Sequence, residues 1–176
     1  MNQAGGSYAD SLERFRQPGL AVYGTFVFGY DNDNAKTIQE SVDFARQQKL
    51  FLAAFNHLIP FPGTPLYRRL KSEGRLLSDA WWLDPDGCVG DVNFQPKKMS
   101  PYQLQQACLG ARRVFYSWSS IFSRMTDRKA NIKNGLMAGV FLGLNLTSHF
   151  DIDLRQGLQL GAGMGQWEPI DEPISV

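Results

Sequence analysis

The run Pro60-Phe61-Pro62-Gly63-Thr64-Pro65-Leu66-Tyr67 follows an apolar extended stretch, and its residue types suit half of an active-site rim. Two prolines, a glycine and a threonine directly after a strand make a stiff turn. Such a turn presents backbone groups at the strand's carboxyl end, where α/β sheets bind ligands. Thr64 suits an N-cap and Pro65 the first helical position, with Leu66, Leu70 and Tyr67 turned inward. The other polar residues carry less chemistry. His57 and His149 have no Asp, Glu, Cys or His neighbours at metal-ligand spacing and read as structural. Asp31 and Asp33 suit turns and caps better than acid/base roles. Trp81 and Trp82, beside Asp84-Pro85-Asp86-Gly87, suit an aromatic loop locked onto the core. Asn145-Leu146-Thr147 is only formally a glycosylation sequon.

The elements that would position this turn follow from patterning. Residues 8–16 suit a short helix with Leu12 and Phe15 on one face. Leu20 to Phe28 is β-rich and mostly apolar without strict alternation, the pattern of a strand covered on both faces in a parallel sheet. Asp33 or Asn34 can cap a helix whose apolar positions are Ile38, Val42 and Ala45, and Leu50 to Ile59 returns as a second apolar run. The result is a βαβ unit with parallel strands, so residues 29–34 and 60–64 share one carboxyl-terminal rim. Gly74 suits a left-handed cap, and residues 89–94 suit another short strand.

Ser100, Pro101 and Gln103 match a capping box opening a long helix, with Leu104, Cys108, Ala111, Phe115, Trp118, Phe122 and Met125 as one apolar stripe. Residues 135–146 are apolar almost all round, and Gly135, Gly139 and Gly143 would let another helix approach closely. That run falls short of the about 20 apolar residues a membrane span needs, so burial in protein or in a partner is the expectation.

The 176 residues are 43% hydrophobic and 20% charged, with a net charge of +1, a composition typical of one soluble globular core. Dispersed Lys and Arg exclude an electrostatic case for nucleic acid or an anionic membrane. Two cysteines and no signal-peptide pattern point to a reducing cytoplasm.

Tyr23-Gly24-Thr25-Phe26-Val27-Phe28-Gly29-Tyr30-Asp31, then residues 55–67, then Glu73-Gly74-Arg75-Leu76-Leu77 with Trp81-Trp82, resemble the later part of a radical S-adenosylmethionine enzyme, of the subgroup with an amino-terminal cobalamin-binding domain. Residues 96–99 and Arg112-Arg113-Val114-Phe115-Tyr116-Ser117 extend the match to roughly residues 8–128. The resemblance implies an α/β fold: an incomplete parallel (β/α) barrel fragment over residues 1–98, a helical carboxyl-terminal region over 99–161, and a flexible tail over 162–176. It also implies S-adenosylmethionine, a 4Fe-4S cluster and cobalamin as the cofactors of the complete enzyme, with Phe28, Gly29, Asn56, Pro60, Pro62, Gly63 and Thr64 contacting S-adenosylmethionine or a small-molecule substrate. In that family three cysteines in a C-x-x-x-C-x-x-C loop hold the cluster, which cleaves S-adenosylmethionine to a 5′-deoxyadenosyl radical. This sequence has Cys88 and Cys108 alone, far apart. The expectation is therefore a portion that is inactive by itself and works with a chain or missing segment carrying the cluster-binding half-barrel. The alternative is a non-catalytic interaction module that binds a partner chain through an open sheet edge and the long helical stripe.

Overall fold

The computed structural model describes residues 8–159; the expected tail over 162–176 lies outside them. Strands β1 (Tyr23–Phe28) and β2 (Leu52–His57) pair in parallel, Tyr23 opposite Leu52 through Phe28 opposite His57. Between them runs α2 (Ala35–Gln47), whose N-cap is Asn34: its side-chain oxygen accepts the N–H groups of Lys36 and Thr37. Asp33 has a different task, accepting the N–H groups of Gly29 and Tyr30 at 3.0 Å each and so closing the loop after β1. Ile38, Val42 and Ala45 face the core as their spacing requires, meeting Phe28, Ala53 and Phe55 from the sheet. Phe26 and Phe55 stack across the two strands with centroids 5.1 Å apart. The fold is thus mixed α/β, with a two-stranded parallel sheet among the described residues.

Four expectations need correction. The first strand begins at Tyr23 rather than Leu20 and is covered on one face only: Phe28 is buried, whereas Tyr23, Thr25 and Val27 are exposed. The alternation was masked because Tyr23 and Val27 on the open face are as β-prone as the residues opposite. Residues 89–94 form no strand; Gly90 takes φ +96° and the Asp91 carboxylate accepts the Cys88 N–H at 2.7 Å, so the backbone turns, leaving a single bridge between Leu76 and Phe94. In helix α1 (Tyr8–Arg16) Leu12 packs on the core but Phe15 is exposed.

The fourth correction concerns the long helix, which is two helices, α4 (Pro101–Phe115) and α5 (Trp118–Met125). Ser117 breaks it: its hydroxyl donates to the Val114 carbonyl and accepts the Ser120 N–H, a local alternative to the helical ladder. The break shifts the phase of the stripe. Leu104, Cys108, Ala111 and Phe115 are buried as expected, but Trp118 and Phe122 are 48% and 61% exposed, and Ser120, Ile121 and Arg124 face inward.

Two N-caps match expectation. Thr64 accepts the Tyr67 N–H to start α3 (Pro65–Ser72), and Ser100 with Gln103 forms the capping box of α4. Helix α6 (Gly135–Arg155) extends beyond the apolar run, supported by an Asp151–Arg155 ion pair. Phe141 and Asn145 are its buried residues; a Cβ on Gly135, Gly139 or Gly143 would meet nothing within 4 Å, so the glycine row faces open space. No described helix is long and apolar enough to cross a membrane.

Candidate functional site

Parallel pairing puts the loops after β1 and β2 on one end of the sheet, and the seven residues singled out in the sequence divide there into three groups. Phe28, Gly29 and Pro60 are buried. Gly29, at φ +104°, is needed for packing: a Cβ there would lie 2.8 Å from Phe94 and 3.0 Å from Leu104. Pro62, Gly63 and Thr64 form the turn itself. Thr64 donates to the Phe61 carbonyl at 2.7 Å, Arg68 donates to the Gly63 carbonyl at 2.9 Å, and Gly63 takes φ +79° in open space. Trp81 holds this turn from behind, its indole N–H donating to the Pro60 carbonyl at 3.0 Å and its ring lying 6.1 Å from that of Phe61. Asn56 stands apart from the other six, exposed on the open face of β2 and lining two adjoining clefts.

The two edges of the sheet differ sharply. In this register the even-numbered residues of both strands exchange hydrogen bonds, so the odd-numbered backbone groups point outward. On β2 both outward groups of Ala53 and the Phe51 and Phe55 carbonyls are occupied by side chains. Arg124 and Asn145 donate to the Phe51 carbonyl, each at 3.2 Å. The Tyr116 hydroxyl donates to the Ala53 carbonyl at 2.9 Å and accepts the Ala53 N–H at 3.3 Å. Arg112 Nε donates to the Phe55 carbonyl at 3.0 Å. On β1 the corresponding groups of Tyr23, Thr25 and Val27 have no hydrogen-bond partner among the described residues.

Arg124 anchors this sealed edge. It is fully buried, and its five N–H groups reach Leu50, Phe51 and Phe115 carbonyls, Asn145 Oδ1 and Ser120 Oγ, with the guanidinium 3.9 Å over the Phe115 ring. Burial pulls its pKa down to about 10, which leaves it charged at neutral pH.

Arg112 and Asn56 sit where the two clefts meet, one of about 350 Å³ towards α6 and one of about 420 Å³ over the carboxyl end of β2. Arg112 Nη2 donates to Asn56 Oδ1 at 3.0 Å. Beside them, His57 Nδ1 donates to the Leu58 carbonyl at 3.0 Å, and burial holds its imidazole below the usual range. The arrangement offers a fixed cation, an amide and a neutral imidazole next to an apolar wall.

The sequence reading missed Arg112, Tyr116, Arg124 and Asn145 as functional positions. Arg124 carried one signal, a cation three residues from Ile121 on what becomes the inward face. Asn145 is fully buried and bonded, which is incompatible with its formal role as a glycan acceptor.

An iron-sulfur cluster does not fit these residues. Cys108 is buried in α4, where desolvation pushes its thiol up to about 11, and Cys88 donates its thiol proton to the Asp86 carbonyl. No group of three or more His, Cys, Asp or Glu able to hold a metal occurs among the described residues.

The arrangement defines a small α/β unit with one finished and one unfinished sheet edge and a cleft at its open face. A domain of unknown function, DUF4070, matches residues 64–142. The chain is 30% identical over 125 residues to bacteriochlorophyllide d C-12(1)-methyltransferase of Chlorobaculum tepidum, covering 71% of this chain and 26% of that protein. It is also 30% identical to bacteriochlorophyllide d C-8(2)-methyltransferase of the same organism (66% of this chain, 25% of that protein) and to hopanoid C-2 methylase of Rhodopseudomonas palustris (68% and 24%). No solved structure matches the chain. The chain belongs to the radical S-adenosylmethionine enzymes of the subgroup with a cobalamin-binding domain, and corresponds to their carboxyl-terminal part. It spans about a quarter of the length of these curated relatives.

Proposed function

We propose that this chain supplies the closing strands and helices of a partial (β/α) barrel, and with them one wall of the S-adenosylmethionine and substrate pocket of a cobalamin-dependent methyl-transferring enzyme. The observation that carries this reading is the asymmetry of the sheet: side chains of α4, α5 and α6 terminate β2, whereas β1 keeps a free edge for a further strand. An exposed parallel edge requires a cover. The half-barrel carrying the three-cysteine loop is that cover, whether joined to this chain or separate from it. When bound there, a cluster with S-adenosylmethionine would supply the radical, and cobalamin would supply methyl-group chemistry. This chain's own residues then shape the pocket: Tyr23, Val27, Ala54 and Asn56 face it from the sheet, and the Pro60–Thr64 turn, held by Trp81, forms its rim. Methyl transfer follows from the likeness to the bacteriochlorophyllide and hopanoid methylating enzymes, and the acceptor is a small molecule.

The test is co-expression of this chain with a half-barrel segment bearing the C-x-x-x-C-x-x-C loop. Co-purification and S-adenosylmethionine cleavage by the pair, with neither cluster absorption nor cleavage from this chain alone after anaerobic iron and sulfide reconstitution, is the expected result. Cleavage by this chain unaided, or a pair that never associates, contradicts it.

A second reading, a non-catalytic interaction module, has one observation in its favour: Trp118 and Phe122 on α5 and Leu136, Val140 and Leu144 on α6 are exposed. Light scattering across a dilution series on the assembled pair separates the two, because only the interaction module needs a further partner after the barrel is complete.

A further inference from the structure

Arg112 is a half-buried cation with no carboxylate partner among the described residues, although its chain neighbour Arg113 pairs with Asp153 and Arg155 with Asp151. Its guanidinium is nonetheless fixed. Nε donates to the Phe55 carbonyl and Nη2 to Asn56 Oδ1, which leaves Nη1 without a hydrogen bond among the described residues. The contact also orients Asn56. A guanidinium only donates, so the asparagine oxygen faces Arg112 and its NH2 group is left as a second donor with no partner among the described residues. Two unspent donors, one charged, therefore belong to a bonded pair of residues that lines both clefts.

What lies around them states the rest of the ligand. Val27, Ile59, Phe61 and Val89 line the same cleft of about 420 Å³ and are all exposed large apolar side chains. His57, the remaining titratable group lining this cleft, is half-buried and pairs with the Leu58 carbonyl, and a histidine carries no negative charge to neutralise Arg112. A fixed guanidinium edge is the side-chain group best matched to a carboxylate, through charge-assisted hydrogen bonds.

We propose that the Arg112–Asn56 pair is a carboxylate-recognition site, and that its ligand joins that carboxylate to an apolar or aromatic body seated on Val27, Ile59, Phe61 and Val89. The inference deepens the pocket-wall reading and rests on it for the ligand being a small molecule. The same chemistry has two sources, a substrate carboxylate or the methionyl carboxylate of S-adenosylmethionine.

The experiment uses the full chain and two matched probe pairs: 1-naphthylacetate against 1-naphthylacetamide, and S-adenosylmethionine against its decarboxylated form. Affinity is followed by titration, with the Arg112 Nε–H resonance as reporter. An acid preference of about ten-fold or more in either pair, lost in Arg112→Gln, and lost in Asn56→Asp together with the shift of the Arg112 resonance, supports the site, and the pair that shows it names the source. Asn56→Asp places a carboxylate against Arg112 at an exposed position, so it occupies the site without burdening the fold; thermal melts of both variants verify this. Equal binding of acid and neutral partner in both pairs, no measurable acid binding, or a preference that survives Arg112→Gln overturns the proposal. Because no half-barrel partner is present in this experiment, its failure leaves the association test untouched, and the reverse also holds.

Discussion

The Tyr116 hydroxyl spans both outward backbone groups of Ala53, donating to the carbonyl at 2.9 Å and accepting the N–H at 3.3 Å. One phenol thus takes the place that a neighbouring strand would fill. Tyr116 is buried, and desolvation raises its pKa, so the neutral, donating form is the one present at neutral pH. Tyr116→Phe leaves two buried polar groups unpaired. The expected loss is about 2–6 kcal/mol, at about 1–3 kcal/mol for each abandoned group, and denaturant unfolding measures it. Faster exchange of the Ala53 amide should accompany it.

Arg124 ties the start of β2 to the end of α4 and the middle of α6, and its environment contains carbonyls, an amide and aromatic faces rather than a carboxylate. Arg124→Met retains much of the apolar stem but deserts the Leu50, Phe51 and Phe115 carbonyls together with Asn145. A loss of at least about 3 kcal/mol is expected. Arg124→Lys keeps the charge but lacks the planar fork that reaches both sides, so it should recover only part of that loss. A variant within about 0.5 kcal/mol of the parent would show that the buried network contributes little.

Gly29 and Gly63 share a positive φ and differ in surroundings, which makes them a matched pair. Gly63→Ala carries the backbone cost alone, about 1 kcal/mol. Gly29→Ala adds a collision with Phe94 and Leu104, for a total of about 3 kcal/mol. Melting both variants beside the parent checks the order.

His57 provides a pH signature. Burial lowers its folded pKa below the ordinary 6.5, Arg112 lowers it further, and the Leu58 and Gly90 carbonyls and Asp91 oppose the shift. The unfolded chain therefore takes up the proton at higher pH than the folded one. The contribution of neutral His57 is complete above about pH 6.5 and is lost as pH falls from there through the folded value. His57→Asn, which retains a donor for Leu58, should flatten the stability profile below about pH 6.5 while leaving the shape above it unchanged. Parallel profiles for parent and variant across pH 7 to about 5 would contradict this.

Local chemistry was legible in the sequence wherever one residue type answers one backbone need. The caps at Asn34, Thr64 and Ser100 are cases of this, as is Gly74 at φ +64°. So were the inward residues of α2 and α4. The break at Ser117 was not, because Trp118 and Phe122 continue an apolar rhythm that belongs to the surface. Nor was the open face of β1, where Tyr23 and Val27 look like core residues. Among the candidate site residues, the turn at 60–64 was readable because proline and glycine act locally. Arg112, Tyr116 and Arg124 were not, since each acts on a strand far away in the chain, and only folding brings that strand within reach.

The unfinished edge of β1 is tested most directly by residue-resolved hydrogen exchange on this chain, alone and with the cluster-bearing half-barrel segment added. Alone, the Tyr23, Thr25 and Val27 amides should exchange readily while those of Gly24, Phe26 and Ala53 are protected; with the segment, the first three should slow by about a hundred-fold or more, the mark of a newly formed ladder. Outer-edge amides that are already protected in the isolated chain, or that stay unprotected when the segment is present, would contradict the proposal that this chain closes the barrel.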